Sequence, residues 1–237
     1  MSEVKGLSRL GVALLLGAIF AIAGCGIVYE LLIGSTSSYF LGDSVEQFSL
    51  TIGFFLFAMG LGSWVSRLIQ ERLVARLIGL EIWLGLVGGG SVPFLYTVYA
   101  NSGQFRYWMV VLIIAIGMLI GLEIPLLARI LRGTGSLRSM LANVLTLDYL
   151  GALIAALIFP YLLLPSLGSL HTSVVVGLVN LAVGSAILAG FWRTLDRRSR
   201  RFLTIQSLLA VALLVGLLAK ADPLLEEWES KLYADRI

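Results

Sequence analysis

The chain has 237 residues, of which 59% are hydrophobic and 13% charged, with a net charge of +3 and a mean hydropathy of +0.97. A soluble domain carries about 25% charged residues, so this composition excludes an ordinary soluble domain of any size and points to an integral membrane protein. One cysteine, Cys25, and one histidine, His171, exclude an internal disulfide framework and a cysteine or multi-histidine metal site.

In chain order, apolar runs predict seven transmembrane helices at about 10–33, 45–66, 77–99, 107–128, 143–164, 170–192 and 202–219. The connections are short, so an all-α polytopic bundle over residues 1–220 is expected, without internal repeats. In the first span, Lys5 and Arg9 precede a run ending Ile22-Ala-Gly-Cys25, which has the form of a lipoprotein cleavage box. Apolar sequence continues past it to Ile33, so Cys25 is read as a packing residue.

Thirteen of the 17 Lys and Arg residues fall at the N-terminus and in the 2–3, 4–5 and 6–7 connections: Lys5, Arg9, Arg67, Arg72, Arg76, Arg129, Arg132, Arg138, Arg193, Arg197, Arg198, Arg200 and Arg201. Arg106, Lys220, Lys231 and Arg236 fall on the other side. This asymmetry predicts a cytoplasmic N-terminus and an outer C-terminus in a plasma (bacterial inner) membrane. The basic balance is therefore topological, and no nucleic-acid partner is expected.

Four acids lie inside spans: Glu30, Glu81, Glu123 and Asp148. Counted from the arginine-rich ends, Glu81, Glu123 and Asp148 share a level in the inner third, while Glu30 belongs with Tyr29 to an outer layer. A carboxylate at such depth costs a few kcal/mol, so it either pairs with a cation such as Arg67, Arg76 or Arg129 or forms a functional site. A cation site built from Glu81, Glu123 and Asp148, completed by Asn143, Tyr149 and Tyr29, is one expectation; structural pairing is the other. Pro125 removes a helical hydrogen bond beside Glu123 and frees the carbonyl of Gly121, an expected helix break. Gly117 and Gly121 form a GxxxG pair suited to close helix packing. Span three carries Gly85, Gly88, Gly89, Gly90 and Pro93, and span five carries Pro160.

Residues 221–237 are expected to form a short amphipathic interfacial helix and a linker. Asp222-Pro223 reads as an N-cap and first helical position, and Leu225, Trp228 and Leu232 as the membrane-facing stripe.

Several stretches resemble membrane-embedded polyamine aminopropyltransferases (spermidine synthase-like proteins). They are Ala23-Gly-Cys-Gly-Ile-Val-Tyr-Glu-Leu31 with Leu41-Gly42, Met59-Gly-Leu-Gly-Ser63, Gly121-Leu-Glu-Ile-Pro-Leu126, Leu147-Asp-Tyr-Leu-Gly-Ala152 and Phe159-Pro-Tyr-Leu-Leu-Leu-Pro165. The resemblance implies a soluble aminopropyltransferase domain after this one, with Lys231-Leu-Tyr-Ala-Asp-Arg236 similar to its entry. The donor-binding loop for decarboxylated S-adenosylmethionine and the catalytic aspartate would lie in that domain. No residue here inherits a catalytic role, no cofactor is expected within this chain, and no metal site is expected. The implied partners are the bilayer, the downstream domain, a polyamine and a second copy of the chain. A cytosolic donor implies a cytosolic C-terminus, which conflicts with the arginine count. Met59 to Arg76 is also similar to the loop between the second and third spans of major-facilitator transporters. That leaves a stand-alone small-molecule transporter, or a purely structural anchor, as the alternative.

Overall fold

The structure is a computed structural model, and it describes residues 8–132, 134 and 136–234. Lys5 and Arg236 lie outside the described residues, as does the end of the linker stretch. Among the described residues there is no strand. The helices are α1 (Arg9–Leu41), α2 (Ser44–Val65), α3 (Leu73–Gly89), α4 (Ser91–Asn101), α5 (Phe105–Ile130), α6 (Leu137–Ile158), α7 (Leu164–Gly190), α8 (Arg197–Ala219) and α9 (Ala221–Ala234). Six helical tracts are long and apolar enough to cross a membrane.

One of those six, Arg138–Gly190, has 53 residues. At 1.5 Å per residue a straight helix of that length would reach about 80 Å, against a hydrocarbon core of about 30 Å. It is two antiparallel arms. Gly151 of α6 meets Phe20 of α1, and Gly24 of α1 meets Ala155, so α6 runs parallel to α1. Gly190 of α7 meets Leu14 and Cys25 meets Val176, so α7 runs antiparallel to α1. The reversal is made by a π-helical turn at Phe159–Leu163, opened by the missing donor of Pro160, and by Gly168 at φ 70°, ψ 174°.

The remaining directions follow from similar pairs. Arg106 bridges Glu46 at the starts of α5 and α2 (3.1 Å), and Arg129 reaches Ser66 where α2 ends, so α2 and α5 are parallel. Seven arms thus alternate, and the 66–72, 131–136 and 191–196 connections share one end of the bundle with the start of α1. The arginines of those connections gather there. The C-terminal helix α9 starts at the opposite end, where His171 pairs with Asp222 at 3.3 Å.

Three local outcomes differ from the sequence reading. The helix of the first span continues eight residues beyond Ile33, through Ser35, Thr36, Ser37 and Ser38, to Leu41. Within this extension Gly34 packs against the Phe48 ring of α2, where an added Cβ would come within 2.8 Å of the ring. The third span is divided at Gly90: Pro93 cannot donate to the carbonyl of Gly89, which accepts instead from the Ser173 hydroxyl of α7 at 3.2 Å. α9 begins at Ala221, one residue before the expected cap. Its Trp228 is buried against the Tyr96 ring of α4 (5.6 Å) rather than turned outward, because the α4 aromatics offer it a protein surface.

Candidate functional site: a buried polar layer

The apolar core is split into two clusters at a common height. On α1 the first cluster ends at Ile22 and the second begins at Cys25. On α3 the boundary falls between Ile82 and Leu84 and on α5 between Ile120 and Leu127, while on α7 the clusters interleave, with Leu170 and Val176 in the second and Val174 and Leu181 in the first. Glu81 adjoins this boundary and Glu123 and Asn180 sit at it, roughly 10–15 Å from the arginine-rich ends of their helices.

Glu81 is fully buried, Glu123 is 3% exposed, and Asn180 and the Tyr29 side chain are fully buried. The Asn180 amide donates to Glu81 Oε2 at 2.8 Å, and the Tyr29 hydroxyl donates to Asn180 Oδ1 at 3.4 Å. Two glycines make the geometry available. A Cβ on Gly184 would come within 2.9 Å of Glu81 Cβ, and one on Gly88 within 2.4 Å of the Tyr29 ring. Glu81 Oε1 and Glu123 Oε1 are buried without a hydrogen-bond partner. Glu123 lies close enough to Glu81 and Asp148 for their charges to interact.

The sequence-derived candidates separate into two groups. Glu81, Glu123 and Tyr29 contribute to this layer, with Asp148 half-buried at its edge. Of the two places expected for Tyr29, its hydroxyl takes the one in the network rather than the outer layer, because its long side chain carries it to Asn180. Glu30, one residue on, is half-buried. Asn143 is exposed on α6, and Tyr149 is 68% exposed there. The face of α6 that packs on α1 is carried by residues such as Val144 and Gly151, which leaves Asn143 and Tyr149 on the outside.

Pro125 does not break α5, which continues to Ile130. One missing donor costs the helix a single bond, and the turn is braced by Arg129, whose Nε donates to the Pro125 carbonyl at 3.1 Å. The same guanidinium donates to the Ile69 and Ser66 carbonyls at 2.5 and 2.8 Å. Arg129 therefore caps the C-terminal end of α2 and the residues beyond it, and it is not the counter-ion of an inner acid. No salt bridge to Glu81 or Glu123 occurs among the described residues. Gly121 and Gly117 of the GxxxG pair lie against α2, with Met59 and Ala58 as their nearest neighbours.

Asn180 escaped the sequence reading. Its signal was available: an amide inside an apolar span is costly unless it is hydrogen-bonded. A second buried polar group, Thr36, Ser37, Gln47 and Thr51 on α1 and α2, was also missed, and its side-chain oxygens and the Gln47 amide are unpartnered. No grouping of His, Cys, Asp and Glu that could hold a metal ion occurs among the described residues. Cys25 is a free buried thiol in the middle of α1.

Comparison with known proteins adds a relationship. The chain is 40% identical over 224 residues to a polyamine aminopropyltransferase of Leptospira interrogans, covering 93% of this chain and 44% of that protein. It is 42% identical over 233 residues to polyamine aminopropyltransferase 2 of Ralstonia nicotianae (96% and 46%), and 39% identical over 227 residues to polyamine aminopropyltransferase 2 of Streptomyces coelicolor (91% and 40%). The chain thus spans less than half the length of these curated relatives. No protein-family model and no solved structure matches it.

Proposed function

We propose, for a chain homologous across nearly its whole length to polyamine aminopropyltransferases while spanning less than half of theirs, that it forms the membrane-embedded part of such a protein. In this reading the helical bundle sits in a bacterial inner membrane. Aminopropyl transfer from decarboxylated S-adenosylmethionine belongs to a further domain, and this part is non-catalytic. It anchors that domain and offers the buried layer to a small organic cation, a polyamine ammonium group.

One observation carries the ligand part of the reading: two buried carboxylates, Glu81 and Glu123, each with an oxygen that has no hydrogen-bond partner, and neither with an arginine counter-charge. Two like charges in one dry layer are unfavourable unless they are neutralised by protons or by a cation. An ammonium group has three N–H donors and one charge. It suits the two unpartnered carboxylate oxygens, with Asn180, itself joined to Tyr29, holding Glu81 in position.

Because no arginine would be stranded, Glu123→Gln is expected to be tolerated whether or not the layer binds a ligand. The polyamine response is therefore what discriminates. Thermal unfolding of the purified chain in lipid nanodiscs, at matched ionic strength, is measured with and without putrescine or spermidine. A ligand at a hundred times its Kd stabilises by about 2.7 kcal/mol. The expected result is a rise in Tm for the wild type that is absent in Glu123→Gln and Glu81→Gln. No polyamine-dependent rise in the wild type would leave the layer as protonated structural packing and the chain as an anchor.

A further inference from the structure

A groove of about 460 Å³ opens between α3 and α8 and runs inward from the arginine-rich end of the bundle, with Glu81 not among the residues that line it. Arg72, Arg76 and Ser199 line one end of it, and Trp83, Phe202 and Leu80 are among the side chains further along its walls. Gly79 forms part of its floor: a Cβ there would meet nothing closer than Leu203 Cδ2 at 4.0 Å. We infer that this groove holds an anionic phospholipid, with its phosphate against Arg72 and Arg76 and an acyl chain along Leu80, Trp83 and Phe202.

The chemistry is graded along the groove. Arg72 and Arg76 are exposed and form no salt bridge or hydrogen-bonded pair among the described residues, so their donors are available to a phosphate. Arg72 is held in the left-handed region at φ 51°, uncommon for a residue other than glycine, where the connection turns into α3. Asp196, the N-cap of α8, interacts with Arg72, but its carboxylate is already engaged by the Arg198 and Ser199 amides. Glu71 is the other acid nearby in sequence. Against these two stand Arg193, Arg197, Arg198, Arg200 and Arg201 in addition to the groove's own pair, so the local field favours an anion.

From Arg72 to Trp83 is eleven residues, about 16 Å along α3, which carries the groove from headgroup depth into acyl depth. Trp83 and Phe202 are 52% and 64% exposed, which an inorganic anion would not require and an acyl chain would cover. Basic pockets between helices on the cytoplasmic side are a recurring way to hold acidic headgroups. The inference rests on the chain lying in a bilayer, but not on the ammonium site.

The test titrates the detergent-solubilised chain with phosphatidylglycerol, phosphatidylcholine or inorganic phosphate and counts bound molecules by native mass spectrometry. Three variants accompany the wild type. Gly79→Leu fills the groove at a helical position that favours a side chain, Arg76→Gln removes one phosphate donor, and Arg138→Gln removes a charge elsewhere at the same end. Phosphatidylglycerol is expected to bind the wild type at least tenfold more tightly than phosphatidylcholine. That preference should be lost in Gly79→Leu and Arg76→Gln, retained in Arg138→Gln, and unaffected by millimolar inorganic phosphate. Binding unchanged in Gly79→Leu, an equal loss in Arg138→Gln, or displacement by phosphate overturns the inference. Glu123→Gln should bind the lipid like the wild type, so this site and the ammonium site can fail separately.

Discussion

The contact between α2 and α5 makes a prediction in which the same substitution changes sign with position. A Cβ added to Gly121 would lie 2.1 Å from the Met59 carbonyl oxygen and 2.7 Å from the Met59 Cα and carbonyl carbon. One added to Gly62 would lie 2.2 Å from the Met118 carbonyl oxygen, so the two helices meet backbone to backbone at both points. Neither neighbour is a side chain that can swing aside. Gly121→Ala must therefore open the helix pair by roughly 1 Å before the methyl group reaches van der Waals distance, forfeiting contacts along both helices. Overpacking of this kind costs about 1–3 kcal/mol, and a rigid backbone neighbour places Gly121 near the upper value. Alanine in a helix recovers about 1 kcal/mol relative to glycine, leaving a net loss of about 2 kcal/mol. At Gly53 and Gly60 of α2 an added Cβ meets nothing within 4 Å, so only the helical gain remains. Unfolding of the three alanine variants in identical nanodiscs, followed by circular dichroism, should show Gly121→Ala destabilised and Gly53→Ala and Gly60→Ala stabilised. A gain at Gly121 equal to that at Gly60 would refute the close backbone contact.

Asn180→Leu removes the amide that joins Glu81 to Tyr29 and leaves two buried groups unpaired; a loss of about 1–3 kcal/mol is expected from the same unfolding measurement, while Asn180→Asp should not restore the donor to Glu81. Arg129→Met keeps the length of the stem but uncaps three carbonyls, and is expected to cost about 1.5–3 kcal/mol, with faster amide hydrogen exchange where α2 ends at residues 62–68. For orientation, impermeant thiol labelling in a Cys25→Ser background should leave Ser136→Cys and Ser199→Cys unlabelled in intact cells. Labelling of either would place the arginine-rich end outside, and would put α9 and any domain following it in the cytoplasm instead.

Much of the architecture was legible because it depends on one-dimensional properties. The apolar runs that predicted spans five and six are separate in sequence at residues 165–169, and the reversal between α6 and α7 includes Gly168. The arginines fall at one end of the alternating arms because each short connection forces a reversal, which is a counting argument. The depth of Glu81 and Glu123 could likewise be counted in residues from the helix ends. Direction around the helix could not. Asn143, Asp148 and Tyr149 lie within two turns of one helix, yet only Asp148 is near the buried acids, because α6 packs on α1 through the face that carries Val144 and Gly151.

The sequence by itself determined an all-helical chain, the number of apolar arms, the end at which the arginines collect, and the helices that carry an acid. These follow from hydropathy and the fixed rise of a helix, and neither requires knowledge of neighbours. Only the tertiary structure decided who meets whom. It gave Glu81 the amide of Asn180, 99 positions away, rather than an arginine. It turned Arg129 to the carbonyls at the end of α2, and it directed the Tyr29 hydroxyl inward. Partner choice depends on which faces the glycines allow to approach, and a helix reads its own periodicity without recording the face its neighbour will present.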